Sequence, residues 1–289
     1  MTPASRTVGH ATPFALAFAR RWLLPAVRLA HRATLEGTSN LPKDGPYLLV
    51  ANHSGALGIA ELVAFAALWA DTFGASRPLA GFAHPLGFRV FPLSRVLAEV
   101  GAIPSTYEAA HAALSAGVPL LVFPGGDHDA LRPIWRWRRV DFGGRRGFLR
   151  IARRAGVPIV PMGISGSHFT APILWQSRLL AYVAAWPRLC GVKRWSLSAL
   201  AVLTTLLVWT SAPLSWPWRV AIAWLALASP TSMIPWVPWK IRIRIGAPIA
   251  AETLFAGDAT RDEERALGDA LATVEGAVRR LTETGSGLP

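Results

Sequence analysis

Cysteine is almost absent from this 289-residue chain: Cys190 stands alone, so no internal disulfide can form and nothing argues for an oxidising compartment. Carboxylates are scarce too, 17 Asp and Glu against 30 Lys and Arg, which leaves a formal net charge of +13. That balance suits an anionic membrane surface or nucleic acid. No nucleic-acid-binding motif is present, and 52% hydrophobic residues with a mean hydropathy of +0.34 point to the membrane. Also missing are a phosphate-binding Walker loop and a dinucleotide fingerprint. The run Gly163-Ile164-Ser165-Gly166-Ser167 ends in serine where the nucleophile elbow of serine hydrolases needs glycine. Internal repeats, low-complexity tracts and long polar linkers are lacking, so residues 1–289 read as one domain with frayed ends at Met1–Thr12 and Thr284–Pro289.

What is there alternates. Strands are expected near Tyr47–Ala51, Val100–Ile103, Pro119–Phe123 and Val157–Met162, with helices near Ile59–Ala70, Tyr107–Ala116 and Arg145–Ala155. That order is the signature of an α/β fold, a mostly parallel sheet flanked by helices. Lys240–Gly246 alternates strictly, as a strand with one wet face near a sheet edge does. A last helix is expected from Thr260, with Glu263 as its capping-box partner and Leu267, Leu271, Val274, Val278 and Leu281 as one apolar stripe of core packing.

Residues 12–34 read as an amphipathic N-terminal helix. Their apolar stretch Phe14–Ala19 is broken by Arg20-Arg21, so it makes no secretory signal. Arg21, Arg28 and Arg32 share one face, and Leu24, Val27 and Leu29 offer apolar surface. Such a helix either rests on phospholipid headgroups or packs on the domain with a solvated basic edge.

Residues 186–239 form a second oily segment. Between Ser196 and Trp239 the only charge is Arg219, and eight of the thirteen tryptophans fall from Trp186 to Trp239. Tryptophan collects where membrane meets water. Ser196–Ala212 sits at the lower length limit for a span and Val220–Ser229 is too short. If the Lys240–Gly246 strand joins the same sheet as the histidine strand, a single crossing would also leave it on the wrong side of the bilayer. The segment is therefore expected to be a re-entrant or interfacial helical hairpin, membrane-associated, turning near Pro213–Trp218; a buried helical subdomain is the alternative.

Two short apolar runs end in chemistry. Tyr47–Ala51 leads into Asn52-His53-Ser54-Gly55, and Leu120–Phe123 into Pro124-Gly125-Gly126, so an imidazole and glycine-turn amides can meet at the carboxyl ends of strands. With Leu35-Glu36-Gly37, Leu41-Pro42 and Gly45-Pro46 ahead of them, and Gly101-Ala102-Ile103-Pro104 and Gly156-Val157-Pro158-Ile159-Val160-Pro161 in order around them, these residues resemble the glycerolipid (lysophospholipid) acyltransferase superfamily. The likeness runs from Leu35 to Pro161. Pro-Gly-Gly in place of Pro-Glu-Gly resembles the branch near monoacylglycerol and diacylglycerol acyltransferases.

The resemblance implies a glycerol-phosphate-acyltransferase-like fold on the cytoplasmic face of a membrane, with membrane lipids as partners. It also implies an acyl-CoA or acyl-carrier-protein donor used as substrate, no bound cofactor, and His53 as general base. Asn52, Ser54, Gly55, Pro124, Gly125, Gly126 and Asp127 would line the substrate. A neutral imidazole with a pKa near 6.5 suits proton removal from an attacking alcohol. The family orients its histidine with an aspartate, most often after four intervening residues and in the closest-looking branch after five or six. Here those positions hold Gly58, Ile59 and Ala60.

Glu61 is the nearest carboxylate and is the candidate substitute, although one further position turns a helical side chain by about 100°. If it fails to reach His53, the rival reading is an inactive membrane or lipid-binding protein that keeps the fold. After the glycine turn, Asp127-His128-Asp129 stands where phosphate-acceptor members carry an arginine, which favours a neutral lipid alcohol by charge repulsion. Three adjacent side chains cannot easily converge on one metal ion, so no metal is expected. Arg132, Arg136, Arg138, Arg139, Arg145 and Arg146, interleaved with Trp135 and Trp137, are candidates for donor phosphates, anionic lipid or a solvated face. Of these, Arg145 and Arg146 stand out because Gly143-Gly144 precedes them and a helix start follows.

Overall fold

In a computed structural model, residues 8–189, 191–256 and 263–283 are described. Cys190, the cap expected at Thr260, and the terminal stretches 1–7 and 284–289 lie outside them. The strands are β1 Thr34–Glu36, β2 Leu48–Ala51, β3 Ala80–Ala83, β4 Ile103–Pro104, β5 Leu120–Val122, β6 Ile159–Ser165, β7 Ile173–Ser177, β8 Trp195–Ser198 and β9 Arg242–Ile245.

The main sheet runs β1-β9-β6-β2-β5-β3-β4. Within it β6, β2, β5, β3 and β4 are parallel, while β9 meets β6 antiparallel and β1 runs with β9. The short apolar runs become central strands because their residues are covered on both faces. Leu48, Val50, Leu120 and Val122 pack with the helices Tyr107–Ser115, Gly147–Ala155 and Glu263–Glu283 on one side. Leu49, Ala51, Leu121 and Val160 pack with the helix Ile59–Thr72 and Leu24 and Val27 of the N-terminal helix on the other. The expected edge-near strand is β9, whose residues alternate between half-buried and buried.

The stripe of the last helix is core: Leu267, Val274 and Val278 are fully buried. Leu267→Ala is therefore expected to lower the free energy of unfolding by about 2–5 kcal/mol, read by urea denaturation.

The N-terminal helix runs Pro13–His31 with a π turn at Ala19–Leu23. Arg20 donates to the carbonyl of Ala70 at 2.8 Å and Arg28 pairs with Asp71 at 2.9 Å, so this helix packs on Ile59–Thr72. Leu29, expected among the apolar contacts, is exposed instead. The strand expected at Val100–Ile103 shrinks to β4, because the helix Leu93–Glu99 is capped at Val100 and the chain turns through Gly101, at φ +72, before it extends. That helix, β1, β3 and the β7/β8 pair carry no sequence pattern strong enough to announce them.

Residues 199–228 form a helical hairpin, Ala199–Ser211 and Trp216–Ala228, turning at 212–215, slightly earlier than expected. Its base is pinned by two indoles: Trp195 Nε1 donates to Leu227 O at 2.7 Å and Trp186 Nε1 to Ala228 O at 2.5 Å. Thirteen residues make about 20 Å of helix against about 30 Å of hydrocarbon. Among the described residues no helix is long and apolar enough to cross a membrane. Arg219, the lone charge, turns its guanidinium onto the carbonyls of Trp209, Ala212 and Leu214 at 2.9–3.1 Å. This satisfies carbonyls at the end of the first helix.

Candidate active site

The strand order β6-β2-β5 brings three loop starts together at one edge of the sheet. His53 follows β2, the Pro124-Gly125-Gly126 turn follows β5, and Ser167 follows β6. His53 has the parity of Leu49 and Ala51, which face the helix Ile59–Thr72. Glu61 lies in the first turn of that helix.

Glu61 is fully buried, and its carboxylate accepts a hydrogen bond from His53 Nδ1. The same carboxylate takes the Ser54 N–H at 2.8 and 3.1 Å, the Ser54 hydroxyl at 2.8 Å and the Ser167 hydroxyl at 2.7 Å. A carboxylate with that many donors is held in one orientation. With Nδ1–H bound to Glu61, Nε2 is the basic nitrogen of the neutral ring. The His53 side chain keeps 14% exposure, against 0% for Glu61. Phe123 supports the ring at a centroid distance of 4.7 Å.

Gly58 explains how the missing aspartate and the present glutamate fit together. It has φ +71, and a Cβ there would lie 1.9 Å from His53 Cε1 and 2.6 Å from Nδ1. The imidazole therefore occupies the space a side chain at 58 would take, and its carboxylate comes from the next part of the helix turn, Glu61. On the other side, a Cβ on Gly125 would lie 2.3 Å from Asp129 Cβ, so glycine lets Asp129 tuck under the turn. Asp129 Oδ2 then accepts the backbone N–H of His53 at 2.6 Å.

Beneath it is a buried arginine. Arg132 pairs with Asp129 Oδ1 and donates to His168 Nε2 at 3.1 Å. Burial pushes the Asp129 carboxyl up to about 6, against the lowering charge of Arg132 and the His53 N–H. Burial and the neighbouring Arg132 hold His168 well below 6.5, hence neutral and able to accept. For His53, burial pulls the pKa down, but the charge and hydrogen bond of Glu61 and the charge of Asp129 outweigh it, and the net shift is upward from 6.5.

Several expected substrate contacts turn out to be internal. Asn52 clamps β2 to β6, donating to Ile164 O at 2.9 Å and accepting from Ile164 N at 2.7 Å. Ser54 is spent on Glu61, and Gly55 approaches the Ser167 carbonyl, which a Cβ would meet at 2.6 Å. The Gly126 amide bonds Phe123 O at 3.2 Å. Arg132 is buried rather than open to phosphate. Arg145 braces the glycine turn, donating to Pro124 O at 3.2 Å and pairing with Asp127 at 2.6 Å. Arg146 reaches Glu264 of the last helix. Since Asp127 and Asp129 each have an arginine partner, the charge argument against a phosphate-bearing acceptor loses its force.

Asp129, Ser167 and His168 carry no sequence signal for this role, because their partners are 76, 106 and 36 positions away. No group of three or more His, Cys, Asp or Glu able to hold a metal occurs among the described residues.

Residues 32–165 match the acyltransferase family model. Uncharacterised proteins of Mycobacterium tuberculosis and Mycobacterium bovis are each 29% identical over 228 residues, 79% of this chain and 55% of theirs. One from Mycobacterium leprae is 28% identical over 247 residues, 86% of this chain and 56% of its own. The chain thus spans about half the length of the curated relatives it matches. In fold it resembles the 1-acyl-sn-glycerophosphate (LPA) acyltransferase PlsC from Thermotoga maritima, with a TM-score of 0.50 at 18% identity, over 93% of this chain and 79% of that one. Residues 32–165 thus carry the acyltransferase family's pattern, and the ordered motifs around His53 and the Pro124-Gly125-Gly126 turn resemble those of the glycerolipid acyltransferase superfamily.

Proposed function

We propose that this protein is an O-acyltransferase that moves a fatty acyl group from an acyl thioester to a lipid alcohol at a membrane surface. The observation that carries this is the Glu61 carboxylate bonded to His53 Nδ1, in a chain whose motif aspartate is missing. It favours an enzyme over an inactive lipid carrier, because a carrier has no need of a buried, fully engaged carboxylate behind an imidazole.

In the proposed step, His53 Nε2 takes the hydroxyl proton as the alcohol oxygen attacks the thioester carbonyl carbon. The C–S bond then breaks, and the leaving thiolate takes the proton back from the imidazolium. No covalent enzyme intermediate and no bound cofactor is needed; the donor is acyl-CoA or an acyl-carrier-protein thioester. The acceptor is a glyceride or a lysophospholipid, the Pro124-Gly125-Gly126 turn favouring the first by resemblance and the paired aspartates leaving the second open.

Membrane placement is supported by exposed Trp209, Trp216, Trp218 and Trp224 on the hairpin and Phe14, Phe18 and Trp22 on the N-terminal helix. With Arg219 folded onto the turn carbonyls, the hairpin carries no outward charge to oppose shallow insertion into the cytoplasmic leaflet.

The test is acyl transfer from labelled acyl-CoA, and from acyl-carrier protein, to monoacylglycerol, diacylglycerol, lysophosphatidate and long-chain alcohols by the detergent-purified chain. Product is expected with at least one acceptor. Turnover is expected to rise with pH through a midpoint above 6.5, since the base must be neutral and its pKa is raised. Folded protein that binds lipid yet transfers nothing across both donors would overturn the proposal.

A further inference from the structure

Of the six arginines considered for phosphate in the sequence, Arg132, Arg145 and Arg146 are committed to Asp129, Asp127 and Glu264. Two neighbours are not. Arg136 and Arg138 are exposed, and among the described residues neither guanidinium has a hydrogen bond or ion pair; Arg138 lies over the Trp137 ring at 4.6 Å. Arg139 pairs with Asp141 at 2.9 Å, and Asp141 also faces His128 at 3.3 Å, so the local carboxylate is already taken. Trp135, Arg136, Trp137, Arg138 and Arg139 line a surface cavity of about 460 Å³. That volume lies in the range of small-molecule sites, about 300–1,000 Å³.

This loop is joined to the candidate active site at both ends. It starts from Arg132, whose partner Asp129 holds the His53 N–H. It packs back through Trp137 on Phe169 at 5.7 Å, and Phe169 in turn lies against Trp239 at 4.8 Å, both ring pairs tilted. Phe169 is two residues beyond Ser167, which bonds Glu61. The tilted aromatic contacts make a firm wall, the two guanidinium forks, neither with a carboxylate partner among the described residues, supply positive charge, and Trp135, 58% exposed, offers open ring surface. Guanidinium forks match phosphate bidentately, and exposed indoles stack on planar bases.

Resting on the acyl-transfer reading, we infer that the Trp135–Arg139 loop is the donor-recognition site, binding the nucleotide end of a coenzyme A thioester. Its phosphates sit on Arg136 and Arg138, its adenine lies against Trp135, and its thioester reaches toward His53. The donor is then a nucleotide-linked thioester in preference to a carrier protein.

The probe is adenosine 3′,5′-bisphosphate, which carries base and phosphates but no acyl group, titrated calorimetrically into the detergent-solubilised full chain. Saturable binding that weakens with salt is expected, with Kd at least tenfold higher in Arg136→Gln/Arg138→Gln and raised in Trp135→Ala. Both arginines are exposed, so the double variant is expected to keep the thermal midpoint of the parent. Kinetically, the double variant should raise KM for acyl-CoA about tenfold while leaving unchanged the rate with an acyl-N-acetylcysteamine thioester, which lacks phosphates. Equal bisphosphate binding by parent and double variant would overturn the assignment. So would binding of phosphatidylglycerol vesicles, and not of the bisphosphate, that depends on Arg136 and Arg138; that would make the loop a lipid-headgroup contact. Because the titration needs no turnover, bisphosphate binding without acyl transfer would fault the enzymatic reading and leave the nucleotide site standing. Arginine-independent turnover of acyl-CoA would do the reverse.

Discussion

Glu61→Gln is expected to lower acyl transfer by about 10⁴-fold, the scale of losing the orienting carboxylate in a serine-protease triad. Glutamine keeps the shape but not the charge. In the native site one carboxylate accepts from His53 Nδ1, Ser54 N, Ser54 Oγ and Ser167 Oγ, so an amide NH₂ placed there turns a donor toward donors. That mismatch should also cost about 1–3 kcal/mol of stability. The pH profile should move with the rate. Burial is the largest influence on His53 and acts downward, and Glu61 is what reverses it; with the charge gone, the midpoint of the ascending limb should fall below that of the parent. His53→Ala should remove the general-base contribution outright, about 10²–10⁴-fold or more. The His53→Ala/Glu61→Gln double variant should be no slower than His53→Ala alone, because the two residues act as a unit. Parent-like turnover in Glu61→Gln, with thermal unfolding and lipid binding measured beside it, would end the claim that Glu61 stands in for the aspartate.

Gly58→Asp is the second large effect, and its direction runs against what the motif suggests. It places a carboxylate where the family most often has one, yet it should inactivate. A Cβ at 58 would sit 1.9, 2.6 and 2.9 Å from three ring atoms of His53, and the backbone there holds φ +71, which side chains with a Cβ rarely adopt. The ring must leave its place on Glu61 or the loop must shift, so a loss comparable to removing the base, about 10²–10⁴-fold, is expected. Gly58→Ala should do nearly the same, which separates crowding from charge. The measurement is single-turnover acyl transfer with circular dichroism on the same samples. A gain of activity in Gly58→Asp would mean that the imidazole can relocate to the motif position, and the geometry built on Gly58 would be wrong.

The readable parts of the sequence were those whose physics is local. Leu48–Ala51, Leu120–Val122 and Ile159–Ser165 announced themselves because a strand covered on both faces must be apolar throughout. Arg242–Ile245 did so because one face is wet, and Leu267 to Val278 because a helix on a sheet needs one oily stripe. The tryptophan-rich hairpin was legible for the same reason, with Pro213 between two apolar runs. By contrast β1, β3, β7 and β8 are three to five residues long and lack a period of their own. They are strands because their neighbours in space supply the hydrogen bonds.

The site divides along the same line. His53, the Pro124-Gly125-Gly126 turn and the suspicion about Glu61 were available from order and spacing along the chain, and so was the acyltransferase resemblance that residues 32–165 sustain. The fates of the charges were not. Which arginine meets which carboxylate depends on strands β2, β5 and β6 lying side by side, an arrangement made by contacts between residues tens to hundreds of positions apart. Tertiary structure alone decided that Glu61 reaches the imidazole, that Asp129 and Arg132 turn inward beneath it, and that Arg136 and Arg138 stay free. A sequence carries the local preference of each segment in plain view, but the pairing of polar groups is set by distance in space, and that exists only once the sheet has formed.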